Sequence, residues 1–339
     1  MMQISPETQL FIREHSSDDV RVLALQAKKY PDIDMPTAIT QIAGRKVAAE
    51  KIPSWWEIEK IWYPKHLSLE QCSSEITARY KARLLQGDSL TDLTGGFGID
   101  CSFLATGFKS ATYVERQEEL CEIAAHNFPV LNLNHINIKN EDGVTYLQAM
   151  SPVDCLFLDP ARRNEHGGKT VAISDCEPNV AELEELLLQK ANRVMIKLSP
   201  MLDLSLALKE LKQTQEVHIL SVNNECKELL ILLGQTSPAE ISIHCVNLFT
   251  KGTQKEQHFV FTREQEQCSE CTYTDSLETY LYEPNASLLK AGAFRSIAAA
   301  YPVRKLHPNS HLYTSDTFIE TSPEEYSVLS TSAVSIKKK

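Results

Sequence analysis

Three acidic residues lie at or near the ends of short apolar segments of this sequence: Asp92 in "LTDLT", Glu115 in "SATYVE" and Asp142 after "INIKN". A glycine-rich stretch, "TGGFG", follows the first of them at residues 94–98. If the segments are parallel strands, their carboxyl ends meet at one edge of the sheet. Carboxylates gathered beside a glycine loop suit a ligand that carries cationic and hydroxyl groups.

The glycine loop narrows the class of ligand. No G-x-x-x-x-G-K-[ST] sequence is present, so a Walker A phosphate loop is excluded. Gly96 and Gly98 give the first half of the dinucleotide pattern G-x-G-x-x-G, but Cys101 takes the place of the third glycine. S-adenosylmethionine has an ammonium group, a sulfonium and a ribose but no phosphate, and it fits the acids better. The predicted cofactor-binding residues are Asp92, Thr94, Gly95, Gly96, Gly98, Asp100, Glu115 and Asp142.

The predicted roles of the acids differ. Asp92 is placed to receive the ammonium group of the cofactor, and Asp142 to accept a hydrogen bond from the adenine amine. Glu115 lies about 20 residues after the first strand, where an acid accepts the ribose hydroxyls. A single acid at a strand end is as often a helix cap. Three acids after successive strands favour the cofactor.

A fourth segment, "VDCLFLDPARR", carries the candidate catalytic residues Asp159 and Pro160. A carboxylate and a backbone carbonyl can accept hydrogen bonds from the two N–H groups of an exocyclic base amine. These hydrogen bonds orient the lone pair of the nitrogen toward a methyl donor. The alternative is that Asp-Pro only ends a strand. Arg162 and Arg163, with Lys169 nearby, are candidates for binding a phosphate or stacking on a base, or they form a solvated loop.

The elements that must position these residues form an α/β pattern. Seven short apolar segments between residues 90 and 234 read as strands, and helical segments separate the first six. This pattern predicts the Rossmann-like, seven-stranded sheet of class I methyltransferases, with an antiparallel pair at its end. The predicted domains are an N-terminal helical region (1–88), an S-adenosylmethionine-binding methyltransferase domain (89–236) and a small α+β domain (237–339).

Composition excludes some classes of protein. The 339 residues are 42 % hydrophobic and 23 % charged, and no apolar run approaches the length of a membrane helix. The net charge of −11 argues against coating nucleic acid by charge alone. Nine cysteines and the lack of a secretory signal favour a reduced, cytoplasmic protein. Cys268 and Cys271 form a C-x-x-C pair, but His258 alone does not complete a zinc site, and no bound metal is expected.

The segments "SSEITARYKARLL", "DLTGGFGID", "FLDPARR", "IKLSPMLD" and "EPNASLLKAGAF" together resemble the bacterial THUMP-like domain-containing class I methyltransferases. The resemblance implies S-adenosylmethionine binding, a ferredoxin-like segment and a THUMP-like RNA-binding domain. We expect that last domain to be incomplete before Lys339. The Asp-Pro arrangement is also similar to that of guanine-N2 RNA methyltransferases of the trimethylguanosine synthase type. Many amino-methyltransferases have an aromatic residue after this motif, where the present chain has Ala161 and arginines.

We therefore expect an S-adenosylmethionine-dependent methyltransferase that acts on an exocyclic amine in RNA, either rRNA or tRNA. Methylation of uracil at C5 would need a cysteine nucleophile after the fifth strand, where this chain has Ser199. Two alternatives stay open. One is a catalytically idle cofactor-binding protein that serves as a partner or assembly factor, and the other is a methyltransferase with a substrate other than RNA. Membrane association is not expected, and the sequence does not address the oligomeric state.

Overall fold

The computed structural model of the chain describes residues 4–162, 172–253, 255–319 and 329–332. The chain divides into two compact units, Met1–Leu158 and Asp159–Lys339. Across the part of the chain that is described, no helix is both long and apolar enough to cross a membrane.

The first unit begins with helices, as predicted, and continues as alternating strands and helices. Its helices are α1 (Pro6–Glu14), α2 (Val20–Leu25), α3 (Met35–Lys51), α4 (Pro53–Trp56), α5 (His66–Gln71), α6 (Glu75–Ala82), α7 (Ile99–Ala105), α8 (Glu118–Val130) and α9 (Gly143–Ala149), with a 3₁₀ turn at Ala27–Lys29. Its strands are β1 (Ser89–Asp92), β2 (Ser110–Glu115), β3 (Ile136–Asn140) and β4 (Val153–Leu158). Side chains of Ser5, Asp19 and Asp34 cap the first helices by accepting hydrogen bonds from backbone N–H groups.

The four strands of the first unit are parallel and lie in the order β4-β1-β2-β3. The register places Asp92 opposite Tyr113 of β2 and Phe157 of β4. The carboxyl ends of β1, β2 and β4 therefore meet at one edge, as the sequence pattern predicts.

The N-terminal helices pack against the segment that follows β1. Trp55 and Phe97 are both nearly fully buried, and their rings meet edge to face with centroids 5.2 Å apart. Ile99 belongs to the same apolar cluster. The tryptophan-rich segment "PSWWEIEKIWYP" thus supplies a packing anchor for the glycine loop.

The second unit contains β5 (Ala161–Arg162), β6 (Cys176–Glu177), β7 (Ala191–Leu198), β8 (Thr214–Val222), β9 (Glu225–Gly234), β10 (Ser242–Leu248), β11 (Glu256–Thr262), β12 (Tyr280–Pro284), β13 (Arg304–Lys305), β14 (Tyr313–Ser315) and β15 (Leu329–Ser332). Its helices are α10 (Val180–Lys190), α11 (Leu204–Glu210), α12 (Arg263–Cys268), α13 (Ala286–Ala291) and α14 (Phe294–Ala300), with a 3₁₀ turn at Ile173–Asp175.

Five of these strands pair in the order β11-β10-β8-β9-β7. The hairpin of β8 and β9 is antiparallel, as predicted. β10 and β11 lie where strands of the small C-terminal domain are predicted, yet β10 adds to β8 in parallel and β11 continues from it. A separate four-stranded sheet has the order β13-β14-β12-β15.

Candidate cofactor and active site

Asp92 is the last residue of β1 and is 1 % exposed. Its Oδ1 accepts a hydrogen bond of 2.9 Å from the backbone N–H of Thr94. The chain after β1 is hydrogen-bonded to both neighbouring strands. Leu93 N–H donates to the carbonyl of Phe157 on β4, and Gly95 N–H donates to the carbonyl of Val114 on β2. The buried carboxylate therefore shapes the start of the glycine loop.

The glycines of the loop are required for two different reasons. A Cβ on Gly95 would lie 2.2 Å from Cε2 of Tyr113, so only glycine lets the ring pack there. Gly96 and Gly98 have φ angles of 55° and 86°, which favour glycine. Burial, with smaller contributions from acids that include Glu115, raises the pKa of Tyr113 well above its usual value. The hydroxyl thus stays protonated and donates to the carbonyl of Gly96.

Glu115 ends β2 and is 8 % exposed. Its Oε2 accepts a hydrogen bond of 2.8 Å from the backbone N–H of Gly96, and its Oε1 accepts one of 2.8 Å from Gln117. A carboxylate offers about four lone-pair directions, so these two bonds do not saturate it. Glu115 joins the loop after β1 to the end of β2.

Asp142 caps helix α9 through Oδ1, which accepts hydrogen bonds from the backbone N–H groups of Val144 and Thr145. The residue is exposed. The following Gly143 packs so closely on the residue after β1 that a Cβ there would lie 2.2 Å from the carbonyl oxygen of Leu93. The structure thus gives Asp142 the capping role that was the alternative, and it places the next residue against the chain that enters the glycine loop.

Asp100 differs from the other acids of the predicted set. Its Oδ1 lies 2.9 Å from Nζ of Lys81, a lysine of α6 that is fully buried, and its Oδ2 accepts a hydrogen bond from Ser73. Lys81 also donates to the Ser73 hydroxyl at 2.8 Å. The carboxylate of Asp100 therefore ties the first turn of α7 to the N-terminal helices.

In the second unit, Asp159 directly follows β4 in the chain, and Pro160 after it is buried. The Oδ2 atom of Asp159 lies 2.5 Å from Nζ of Lys197 on β7. The side chain of Lys197 is 10 % exposed and that of Asp159 is 36 % exposed. Asp159 is therefore a half-exposed carboxylate held by a buried cation.

The predicted arginines are only partly covered by the structure. The backbone of Arg162 pairs with Cys176 between β5 and β6. The side chain of Arg162, and the whole of Arg163 and Lys169, lie outside the described residues.

Two buried lysines, one in each unit, were not predicted from the sequence as partners of the candidate acids. Lys197 stands in "VMIKL", where buried apolar residues flank it on both sides, and Lys81 lies on the buried face of α6. A lysine inside a buried apolar strand signals a paired charge, since an unpaired one would cost several kcal/mol, on the order of its desolvation. That signal could have identified Lys197 but not its partner.

Comparison with known proteins gives one family match and one match over most of the chain. Residues 280–323 match a ferredoxin-like domain family. The crystal structure of a proposed methyltransferase from Porphyromonas gingivalis W83 is 34 % identical, with a TM-score of 0.81, and the match covers 94 % of this chain and 81 % of that one. No curated protein matches the chain.

Two further structures match about half of the chain at lower similarity. An rRNA methylase from Streptococcus thermophilus is 14 % identical with a TM-score of 0.34, covering 47 % of this chain and 93 % of that one. A proposed methyltransferase from Streptococcus mutans in complex with SAH has the same identity and TM-score, with coverages of 47 % and 96 %. Likenesses at this level carry no argument about substrate.

Proposed function

The chain belongs to the same protein family as the Porphyromonas gingivalis protein, and we propose that it is an S-adenosylmethionine-dependent methyltransferase. We further propose that it acts in the cytoplasm on an exocyclic amine of an RNA base, in rRNA or tRNA. The observation that carries the first proposal is the bond between Glu115 and Gly96, which joins a buried acid at the end of β2 to the glycine loop after β1.

The side chains at this edge fit the methyl donor. Two buried carboxylates, Asp92 and Glu115, favour an ammonium group and ribose hydroxyls and would repel a pyrophosphate. Cys101, where the dinucleotide pattern has a glycine, is fully buried in a cluster with Tyr113 and Phe128. S-adenosylmethionine thus fits the residues present better than NAD does.

The hydrogen bonds of the acids are compatible with the following proposed roles. Glu115 accepts the ribose hydroxyls while it holds Gly96, and Asp92 receives the ammonium group directly or through water. Asp142 accepts from the adenine amine in addition to capping α9. Thr94, Gly95, Gly96 and Gly98 form the loop, and Asp100 acts indirectly by fixing α7 to Lys81.

When bound, the cofactor supplies an electrophilic methyl group. Asp159 and the carbonyl of Pro160 accept hydrogen bonds from the two N–H groups of the substrate amine. These hydrogen bonds orient the lone pair of the nitrogen toward the methyl group. The gain comes from positioning and electrostatics. After transfer, the carboxylate would accept the proton that the methylated amine loses.

Lys197 is a positioning residue in this scheme. Its ammonium group lies 2.5 Å from Oδ2 and so holds the carboxylate of Asp159 in place. Lysine provides this charge as a compact ammonium donor.

RNA is proposed as the substrate on two grounds. The motifs of the chain resemble those of THUMP-like domain-containing enzymes, and two arginines follow Asp159 after Pro160 and Ala161. Arg162 and Arg163 would bind a phosphate or stack on the target base in place of the aromatic residue seen in many amino-methyltransferases. Because the net charge is −11, we expect RNA contact to be local.

One observation favours a second candidate, a catalytically idle cofactor-binding protein. The ion pair with Lys197 occupies part of the Asp159 carboxylate, which an enzyme of the proposed type would present to its substrate. In that case the protein would bind S-adenosylmethionine without transferring its methyl group.

The proposal is tested with RNA from cells that lack the protein. This RNA is incubated with the full chain and tritiated S-adenosylmethionine, and its nucleosides are separated. We expect label in one base methylated on an exocyclic nitrogen. Label at uracil C5, or cofactor binding with no label in any RNA, would contradict the proposal.

A further inference from the structure

Three histidines and one glutamate gather on one face of the sheet in the second unit. His218 on β8 and His244 on β10 are direct partners across parallel strands. Glu216 lies on the same face as His218, because alternate residues of a strand face the same side. His258 on β11 pairs with Val246, which places it diagonally next to His244.

The side chains are close to one another. The rings of His218 and His244 stack with centroids 4.2 Å apart, and Nδ1 of His244 lies 3.0 Å from Nε2 of His258. Nε2 of His218 lies 3.3 Å from Oε2 of Glu216. One ligand atom from each of Glu216, His218 and His244 can be chosen so that all three lie within 4.8 Å of one another.

We propose that Glu216, His218 and His244 bind a divalent metal ion of the Zn²⁺ type, with His258 positioning His244. Imidazole nitrogens and a carboxylate oxygen are the ligands that Zn²⁺ prefers, at about 2.0–2.2 Å. A water molecule would complete the four ligands.

The neighbours of the cluster support this division of roles. Arg193 binds Oε1 of Glu216 at 2.9 Å, so Oε2 faces the imidazoles. His258 meets Nδ1 of His244, which leaves Nε2 as the ring nitrogen for the ion. Metal-binding histidines are usually fixed by a hydrogen bond at the other ring nitrogen, as His258 provides here.

Access also suits a metal. His218 is 2 % exposed while Glu216 and His244 are half-buried, so an ion can enter from solvent without leaving the cluster exposed.

The ion would link β8 to β10, two strands that are far apart in the sequence. This site is distinct from the glycine loop and Asp159, and the inference does not depend on the proposed methyl transfer. The proposal differs from the sequence-based expectation that the protein binds no metal. That expectation was based only on Cys268, Cys271 and His258.

The test uses the full chain without a histidine tag, dialysed against a chelator. Zn²⁺ is then titrated in competition with a chromophoric chelator. We expect one Zn²⁺ per chain with a dissociation constant below about 1 μM. Glu216→Gln and His244→Gln should each weaken binding by about a hundredfold or more, and His258→Gln by about 10–100-fold.

Two control variants separate this site from others. His66→Gln changes an exposed histidine, and Cys268→Ser with Cys271→Ser removes the C-x-x-C pair; neither should alter the affinity. Because a ligand variant could fold poorly, the melting temperature is also measured with and without Zn²⁺. It should rise with Zn²⁺ in the wild type and stay constant in Glu216→Gln. Equal affinity in Glu216→Gln, or loss of binding only in the cysteine variant, would overturn the proposal.

Discussion

The ammonium group of Lys197 lies 2.5 Å from Oδ2 of Asp159, and the two side chains are buried to different degrees. The lysine is 10 % exposed and the aspartate 36 %. Removing one partner of such a pair leaves the other charge uncompensated, and the cost grows with the burial of that remaining charge. Loss of Asp159 should therefore destabilise the protein more than loss of Lys197.

We predict that Asp159→Ala lowers the free energy of unfolding by about 3 kcal/mol, because it removes the carboxylate that lies 2.5 Å from the buried ammonium group of Lys197. Lys197→Met should cost less, since Asp159 can be solvated. The double variant should recover part of the loss, and Lys212→Met, at an exposed lysine of the same unit, should have little effect. Urea unfolding of the four variants measures this. A larger loss for Lys197→Met than for Asp159→Ala would contradict the burial argument.

Glu115→Ala should weaken the binding of S-adenosylmethionine by about 1.5–3 kcal/mol, the range for hydrogen bonds to a charged group. The variant loses the bonds to the ribose and also frees the N–H of Gly96. Calorimetry compares it with Glu118→Gln, an exposed glutamate at the start of α8, which should bind normally. Tight binding of NAD by the wild type, or unchanged affinity in Glu115→Ala, would be inconsistent with the assignment.

Gly95→Ala should disrupt the loop because the added Cβ would overlap the ring of Tyr113. Overpacking of this kind costs about 1–3 kcal/mol, and cofactor affinity should fall with it. Gly107→Ala is the matched control, since the nearest atom to its Cβ would be 3.7 Å away. Thermal unfolding with and without the cofactor distinguishes the two. Similar behaviour of the two variants would show that the loop tolerates a side chain at residue 95.

The thiol of Cys121 should react slowly with iodoacetamide. Burial, with a smaller contribution from Glu115, raises its pKa from 9.0 to about 11. Since only the thiolate reacts, the reactive fraction at pH 8 is about a hundredfold lower than for an ordinary thiol. The rate in the folded protein should keep rising with pH until about 11, and in denaturant it should level off near 9. Mass spectrometry of the labelled peptide measures both rates, and a folded-state plateau near pH 9 would refute the prediction.

Much of the fold could be predicted because the strands carry their own apolar patterns. β2 and β3 have the predicted boundaries, and the antiparallel β8–β9 hairpin was predicted from the lack of a helix between its strands. The pairing of β10 with β8 could not be foreseen, because local sequence does not say which sheet edge a strand will join. The histidine cluster depends on that pairing and was missed for the same reason.

The candidate site could also be predicted only in part. Asp92, Glu115 and Asp142 could be placed at one edge from strand order alone. Their bonding partners, such as Gly96 for Glu115, depend on backbone positions that a pattern does not specify. The partners of the buried lysines could not be predicted, because Lys81 and Lys197 form ion pairs with residues that are distant in the sequence. The roles of Asp159 and Glu115 stay predictions.

The central claim is that Asp159 orients an amine for methyl transfer. It is tested most directly by comparing methyl transfer to RNA and cofactor affinity in the wild type, Asp159→Asn and Asp159→Ala. We predict that Asp159→Ala binds S-adenosylmethionine nearly as the wild type does but labels RNA roughly 10²–10³ times more slowly, and that Asp159→Asn retains part of the activity. Labelling by Asp159→Ala at the wild-type rate would contradict the claim.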